Sequence, residues 1–309
     1  MSQTPQQEEK GGAGPFRSGY VAIAGQPNVG KSTLINRLMQ FKLSITTPKP
    51  QTTRHRIMGI LTAEAYQIVF LDTPGLITPS YRLQEVMMET THRAAADADL
   101  VLFMVTAAGK PEPRDLEILA DLAALGKSLL LGINKIDLVE KTTLLPFLDA
   151  WNGHHRFAAI IPFSARSGEN CEVLLETLVG LLPAGAPFYD RETLTEHPER
   201  FFVSEIIREK IFAHYGEEIP YSTAVIIDEF KEGRPGRKDV IKARIVVERQ
   251  TQKGIIIGKG GAMLRKLGEE SRLEIEAFLE RPVFLELWVT VRDKWRTKDT
   301  FLREFGYQG

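Results

Sequence analysis

Residues 25–32 read GQPNVGKS, directly after the apolar run YVAIAG at 20–25 and directly before the helical pattern TLINRLM. The spacing is G-x-x-x-x-G-K-[ST], in the strand–loop–helix setting that gives it meaning. The backbone of Gly25, Gln26, Pro27, Asn28, Val29 and Gly30 can wrap closely, so that successive N–H groups and the next helix N-terminus face phosphate oxygens. Lys31 places a point charge at the β- and γ-phosphates, the Ser32 hydroxyl is a Mg²⁺ ligand, and Thr33 follows in the same cradle. A chance match arises about 0.01 times in a chain of this length at average residue frequencies. The stretch implies a nucleoside triphosphate site at the end of the first strand.

Working outward, apolar runs at 56–61, 66–72, 100–105, 128–134 and 158–164 alternate with helical patterns. Nearly every position in them is apolar, as expected of strands covered by helices on both faces. This predicts an α/β doubly wound domain with a mostly parallel sheet. Only residues 62–65 separate the second and third runs, which predicts one antiparallel hairpin strand. Prolines and mixed charge at 181–200 read as a linker, with the domain boundary near residue 185. Beyond it the order helix, two strands, helix, glycine turn, helix and strand fits an α+β KH domain of type II. The division is a disordered polar tail at 1–17, a nucleotide-binding domain at 18–184, a linker at 185–200 and the KH-like domain with a C-terminal tail at 201–309.

Three further segments belong to the nucleotide. Asp72-Thr73-Pro74-Gly75 ends the third run, so Asp72 can hold Mg²⁺ and the Gly75 N–H can sense the γ-phosphate, with Leu76 next to it. Between the two motifs lies Gln51-Thr52-Thr53-Arg54. One of its threonines completes the Mg²⁺ shell, Thr53 ahead of Thr52. Asn134-Lys135-Ile136-Asp137 ends the fifth run and decides the base. The Asp137 carboxylate can accept from guanine N1–H and N2–H₂, whereas adenine would strand it, a mismatch that rejects analogues by about 10⁴-fold. Asn134 is expected on the base's other edge and against the phosphate loop, with the Lys135 stem along the ring. Ser164-Ala165-Arg166 follows the sixth run, its Ala165 N–H expected to donate to guanine O6.

In the second half, Ile257-Gly258-Lys259-Gly260-Gly261 holds a G-x-x-G turn opening a helix that carries Arg265 and Lys266. Such a turn lets an RNA backbone come close, while bases lie along an adjoining apolar groove. Residues 231–266 carry eleven Lys and Arg against three acids, although the whole chain has a net charge of −1. Basic charge is therefore local to the turn, as phosphate capture needs.

Together these residues resemble the translation-factor class of GTPases, and in particular the Era family of ribosome-assembly GTPases. GQPNVGKS, QTTRHRI, DTPG, NKID, SAR, PERF, EIIREKIF, EEIPYS, IIGKGG and the C-terminal LREFGY carry the likeness, over about residues 18–307. The resemblance implies GTP and GDP as ligands and 16S rRNA near its 3′ end, within the assembling 30S subunit, as the partner. It also implies a monomer with peripheral contact at the inner face of the cell membrane. Leu76 stands where other GTPases place a water-orienting glutamine, so slow intrinsic hydrolysis is expected. In related GTPases the phosphate-loop asparagine holds K⁺, which nominates Asn28, with Lys31, Thr53 and Gly75 completing the catalytic group. Two other readings are an RNA chaperone with structural nucleotide and a GTPase partner of an RNA-modifying enzyme.

The single cysteine, Cys171, excludes an intramolecular disulfide framework and suits a reducing cytoplasm. No signal peptide is visible at the N-terminus, and apolar runs are far shorter than the roughly 20 residues that span a bilayer. The six histidines show no metal-ligand spacing.

Overall fold

The computed structural model describes residues 15–107, 110–234 and 236–307. Most of the expected tail thus lies outside the described residues. The first half is a six-stranded sheet in the order β2-β3-β1-β4-β5-β6. Its strands are β1 (Arg17–Ala24), β2 (Ile57–Thr62), β3 (Tyr66–Asp72), β4 (Leu100–Thr106), β5 (Ser128–Asn134) and β6 (Ala159–Pro162). All neighbours are parallel except the β2–β3 hairpin. Residues 21–24 and 100–105 are buried throughout, so both faces of the central strands are covered, which is why these runs do not alternate. Strand β1 starts three residues before the apolar run, because Arg17 to Gly19 pair with Tyr66 to Ile68.

Five helices flank the sheet: α1 (Lys31–Met39), α2 (Arg82–Asp97), α3 (Pro113–Ala124), α4 (Lys141–Asn152) and α5 (Cys171–Leu181). The sheet's carboxyl ends carry the phosphate loop, the D-x-x-G segment and the N-K-x-D loop on one rim.

The expected linker is not a free tether. The Gln67 side chain on β3 clasps it, accepting from the Phe188 and Tyr189 N–H groups at 2.7 and 3.0 Å. Ile60 N–H of edge strand β2 donates to Leu194 O at 2.8 Å, and Thr195 Oγ1 to Met58 O at 2.7 Å. The strap thereby covers an edge that would otherwise expose unpaired backbone groups. The next helix begins at Glu199, two residues before the expected domain start at 201.

The second half comprises α6 (Glu199–His214), β7 (Ala224–Lys231), β8 (Asp239–Val247), α7 (Gln250–Ile257), α8 (Ala262–Leu279), β9 (Val283–Val291) and α9 (Asp299–Glu304). Strands β7 and β8 are antiparallel, β8 and β9 parallel. This is the type II KH arrangement. Apolar residues of α6, α7 and α8 pack on the sheet as its core. The tail, including buried Trp295, Leu302, Phe305 and Tyr307, packs with Leu83, Val86 and Met87 of α2 in a cluster shared by the two halves.

Candidate nucleotide site and KH groove

The phosphate loop, the residue 45–53 loop and Gly75 enclose a cleft of about 430 Å³. Gly30 has φ of 102°, a left-handed conformation that costs an L side chain strain, and an added Cβ would lie 2.2 Å from Asn134 Nδ2. Asn134 uses that closeness. Its Nδ2 donates to Val29 O at 2.7 Å, and its Oδ1 accepts from Ala165 N–H at 2.9 Å. One buried side chain thus ties the phosphate loop, the N-K-x-D loop and the Ser164-Ala165-Arg166 segment together. The bond to Val29 is the tie to the phosphate loop expected of Asn134, and the bond from the Ala165 N–H adds the third segment. The Asp137 carboxylate stands exposed beside buried Ile136.

The Lys31 ammonium is buried and donates to Gly25 O at 3.0 Å and Gln26 O at 2.8 Å. Burial pushes its pKa down to about 8, with Asp72 opposing. Ser32 Oγ donates to Asp72 Oδ2 at 2.8 Å and lies 3.0 Å from Thr53 Oγ1. Thr52 turns away, its hydroxyl bonding Thr47 Oγ1 and Lys49 O, each at 2.8 Å. Asp72 is fully buried, and its Oδ1 has no hydrogen-bond partner. Burial raises its carboxyl above the usual range, while the nearby Ser44 hydroxyl, Lys31 and Ser32 pull it back. A buried carboxylate oxygen without a donor, converging with two hydroxyls, is a donor set that suits a hard divalent cation.

Gly75 packs against the phosphate loop so closely that a Cβ would sit 2.7 Å from Pro27 N. Thr73 and Pro74 connect it to β3, with the Thr73 hydroxyl donating to Ile23 O at 2.7 Å. Leu76 N–H donates to Gly25 O at 3.0 Å, and its side chain is buried in the apolar cluster, away from the cleft. Asn28 has φ of 63°, and its Nδ2 donates to Pro48 O at 3.1 Å, bridging the phosphate loop to the 45–53 loop.

That loop is also gripped by the KH half. Lys49 Nζ donates to the carbonyls of Phe212 and Tyr215 at the end of α6. Arg54, 4% exposed, donates to the carbonyls of Thr223, Pro220 and Tyr221 at 2.7, 2.8 and 3.0 Å. Arg208 donates to Thr52 O while paired with Glu205.

In the KH half, Gly258 to Gly261 form the turn between α7 and α8, with φ of 71° at Gly258. Lys259 and Gly260 are exposed, whereas Ile257 packs onto the core. Beside the turn runs a groove lined by Leu264, Arg265, Gly268, Arg272, Leu285 and Leu287. Arg265 belongs to it. Lys266 does not line it and instead lies 3.9 Å from Glu270. Arg272, Leu285 and Leu287 carry no motif signal and are identified only by β9 lying beside α8.

These features define a P-loop GTPase domain joined to a KH domain. Comparisons with known proteins agree with that division: residues 20–135 match the family model of a 50S ribosome-binding GTPase, and residues 218–296 match that of the KH domain. GTPase Era of Geobacter metallireducens is 48% identical over 95% of this chain and 98% of its own, and GTPase Era of Syntrophus aciditrophicus is 46% identical over 94% and 95%. The chain belongs to the Era family of GTPases. Two solved structures, a variant of Aquifex aeolicus Era bound to GDP·AlF4⁻ and Era with MgGDPNP and nucleotides 1506–1542 of 16S ribosomal RNA, each superpose with a TM-score of 0.92. Both are 42% identical over 95% of this chain and 100% of theirs.

Proposed function

We propose that this chain is a GTP-gated RNA clamp that holds the 3′ end of 16S rRNA during 30S subunit assembly and is reset by hydrolysis. In this reading Ser32, Thr53 and Asp72 hold Mg²⁺, which when bound offsets charge on the β- and γ-phosphate oxygens. Lys31 gives up its carbonyl partners to those oxygens, Gly75 N–H meets the γ-phosphate, and Asp137 reads guanine. Asn28 contributes a K⁺ ligand through its amide oxygen. Leu76 contributes no water contact, so turnover is slow. RNA phosphates meet the Gly258–Gly261 turn with Lys259 and Arg265, and bases lie in the groove. Cytoplasmic residence as a monomer, with peripheral contact at the membrane's inner face, belongs to the same reading and rests on resemblance. No helix among the described residues is long and apolar enough to cross a membrane.

The observation that carries the proposal is the double anchoring of residues 46–54. One side of this loop brings Thr53 to Ser32 and Asp72, and the other is bonded to the KH half by Lys49, Arg54 and Arg208. Order imposed by GTP and Mg²⁺ on Thr53 therefore reaches the RNA half directly. The Era complex with MgGDPNP and 16S nucleotides supports the choice of RNA. Binding of an RNA spanning that 3′ segment should be at least tenfold tighter with GDPNP·Mg²⁺ than with GDP. Equal affinity in the two states would sink the gating.

A further inference from the structure

A second cleft, of about 650 Å³, opens between the two halves, away from the phosphate loop. Its volume falls within the roughly 300–1,000 Å³ of small-ligand sites. The GTP site does not use it, and neither does the KH groove. Its walls come from α2, residues 54–56, the first half of α6, β7 and the C-terminal tail.

The floor is apolar, made by Leu83, Val86 and Met87 of α2. Planar rings flank it. His55 stacks on Tyr307 with centroids 4.6 Å apart, and His197 stacks on Phe201 at 4.4 Å. The rim is cationic. Arg56 and Arg93 are exposed and have no ion-pair partner among the described residues, and Arg200 meets only the Ile227 carbonyl, at 3.1 Å. Deeper in, Arg208 is 1% exposed. Its Nε and Nη2 are committed to Glu205, but its Nη1 is buried with no acceptor. An unpartnered guanidinium N–H in such a place carries an uncompensated desolvation cost, which a ligand acceptor would recover. Five arginines face the cleft against two carboxylates, Glu205 and Glu304.

We propose that this cleft is a second nucleoside-phosphate site, taking the base on the α2 floor beside the stacked rings and the phosphate on Arg56, Arg93 and Arg200. A simple anion would need the arginines but not the floor, and an apolar ligand would need the floor but leave the arginines idle. A nucleotide uses both, with an acceptor on its base or sugar reaching Arg208 Nη1. Because the walls belong to both halves, an occupant strengthens their docking. The same chemistry is offered by a free nucleotide and by an unpaired nucleotide of an RNA chain.

The test uses the full chain with its guanine site saturated by GDPNP·Mg²⁺, titrated in a calorimeter with AMP and separately with a 5′-phosphorylated uridine pentamer. The variant is Arg56→Glu with Arg93→Glu, both at exposed positions, and unchanged GDP affinity certifies its fold. Saturable AMP binding at one site per chain, weakened at least tenfold in the variant, assigns the cleft to a free nucleotide. Silence with AMP, together with pentamer binding weakened at least tenfold in the variant, assigns it to an RNA-borne one. If neither ligand responds to the two arginines, or if inorganic phosphate binds as tightly as AMP, the proposal is overturned.

Discussion

His55 shows how one side chain can report on the docking of the two halves. It is half-buried between Tyr307 and Phe201, and burial pushes its imidazole from 6.5 down to about 4, with Glu205 opposing and Arg208 and Arg54 reinforcing. A folded value below the unfolded one means the unfolded chain takes up the proton first. Stability is whole above about pH 6.5 and falls as pH drops toward 4, by at most about 3 kcal/mol. His55→Phe should flatten the loss between pH 7.5 and 5 in chemical denaturation, and an unchanged slope would show that the ring is not desolvated. At Gly75 the constraint is steric: the Cβ of Gly75→Ala would press on Pro27 at 2.7 Å. The D-x-x-G segment must then withdraw from the γ-phosphate position. Single-turnover GTP hydrolysis should fall at least tenfold while GDP affinity stays within about threefold; unaltered hydrolysis would remove Gly75 from the catalytic group.

Among the elements, α6 occupies the central position. Its carboxyl end, where a helix dipole presents partial negative charge, is met by the Lys49 ammonium. The Tyr215 hydroxyl just beyond that end donates to Ile256 O at 2.9 Å, two residues before Gly258 of the turn. The nucleotide-side loop, the helix end and the RNA-side turn are therefore consecutive bonded neighbours. Lys49→Met keeps the aliphatic stem and removes the charge. It should shrink the GDPNP-to-GDP ratio of RNA affinities several-fold without moving GTP affinity by more than about twofold. A retained ratio would show that α6 is not the route.

For the whole molecule, the shared apolar cluster and the Arg54 grip make the two halves one cooperative body. Arg54 is buried and spends its guanidinium on three carbonyls of the KH half. Hydrogen bonds from a charged donor contribute roughly 1.5–3 kcal/mol, and their loss here also leaves three buried acceptors unpaired. Arg54→Ala should split thermal unfolding into two transitions and make RNA affinity insensitive to the bound nucleotide. One sharp transition, with gating intact, would assign the docking to the apolar cluster alone.

The nucleotide rim was legible without coordinates, from GQPNVGKS, DTPG and NKID at the ends of apolar runs, as were the antiparallel hairpin and the G-x-x-G turn. These features are local: a loop that wraps phosphate, or a strand buried on both faces, writes its requirement into adjacent residues. The second tie of Asn134, to the Ala165 N–H, and the strap at 185–198 came only from the fold. So did the grip of Lys49, Arg54 and Arg208. A long cationic side chain can find its acceptor at any distance along the chain, 169 residues away for Arg54 and Thr223. Such a pairing leaves no period and no spacing in the sequence. It exists only once both halves have packed and the carbonyls it needs have been brought into reach.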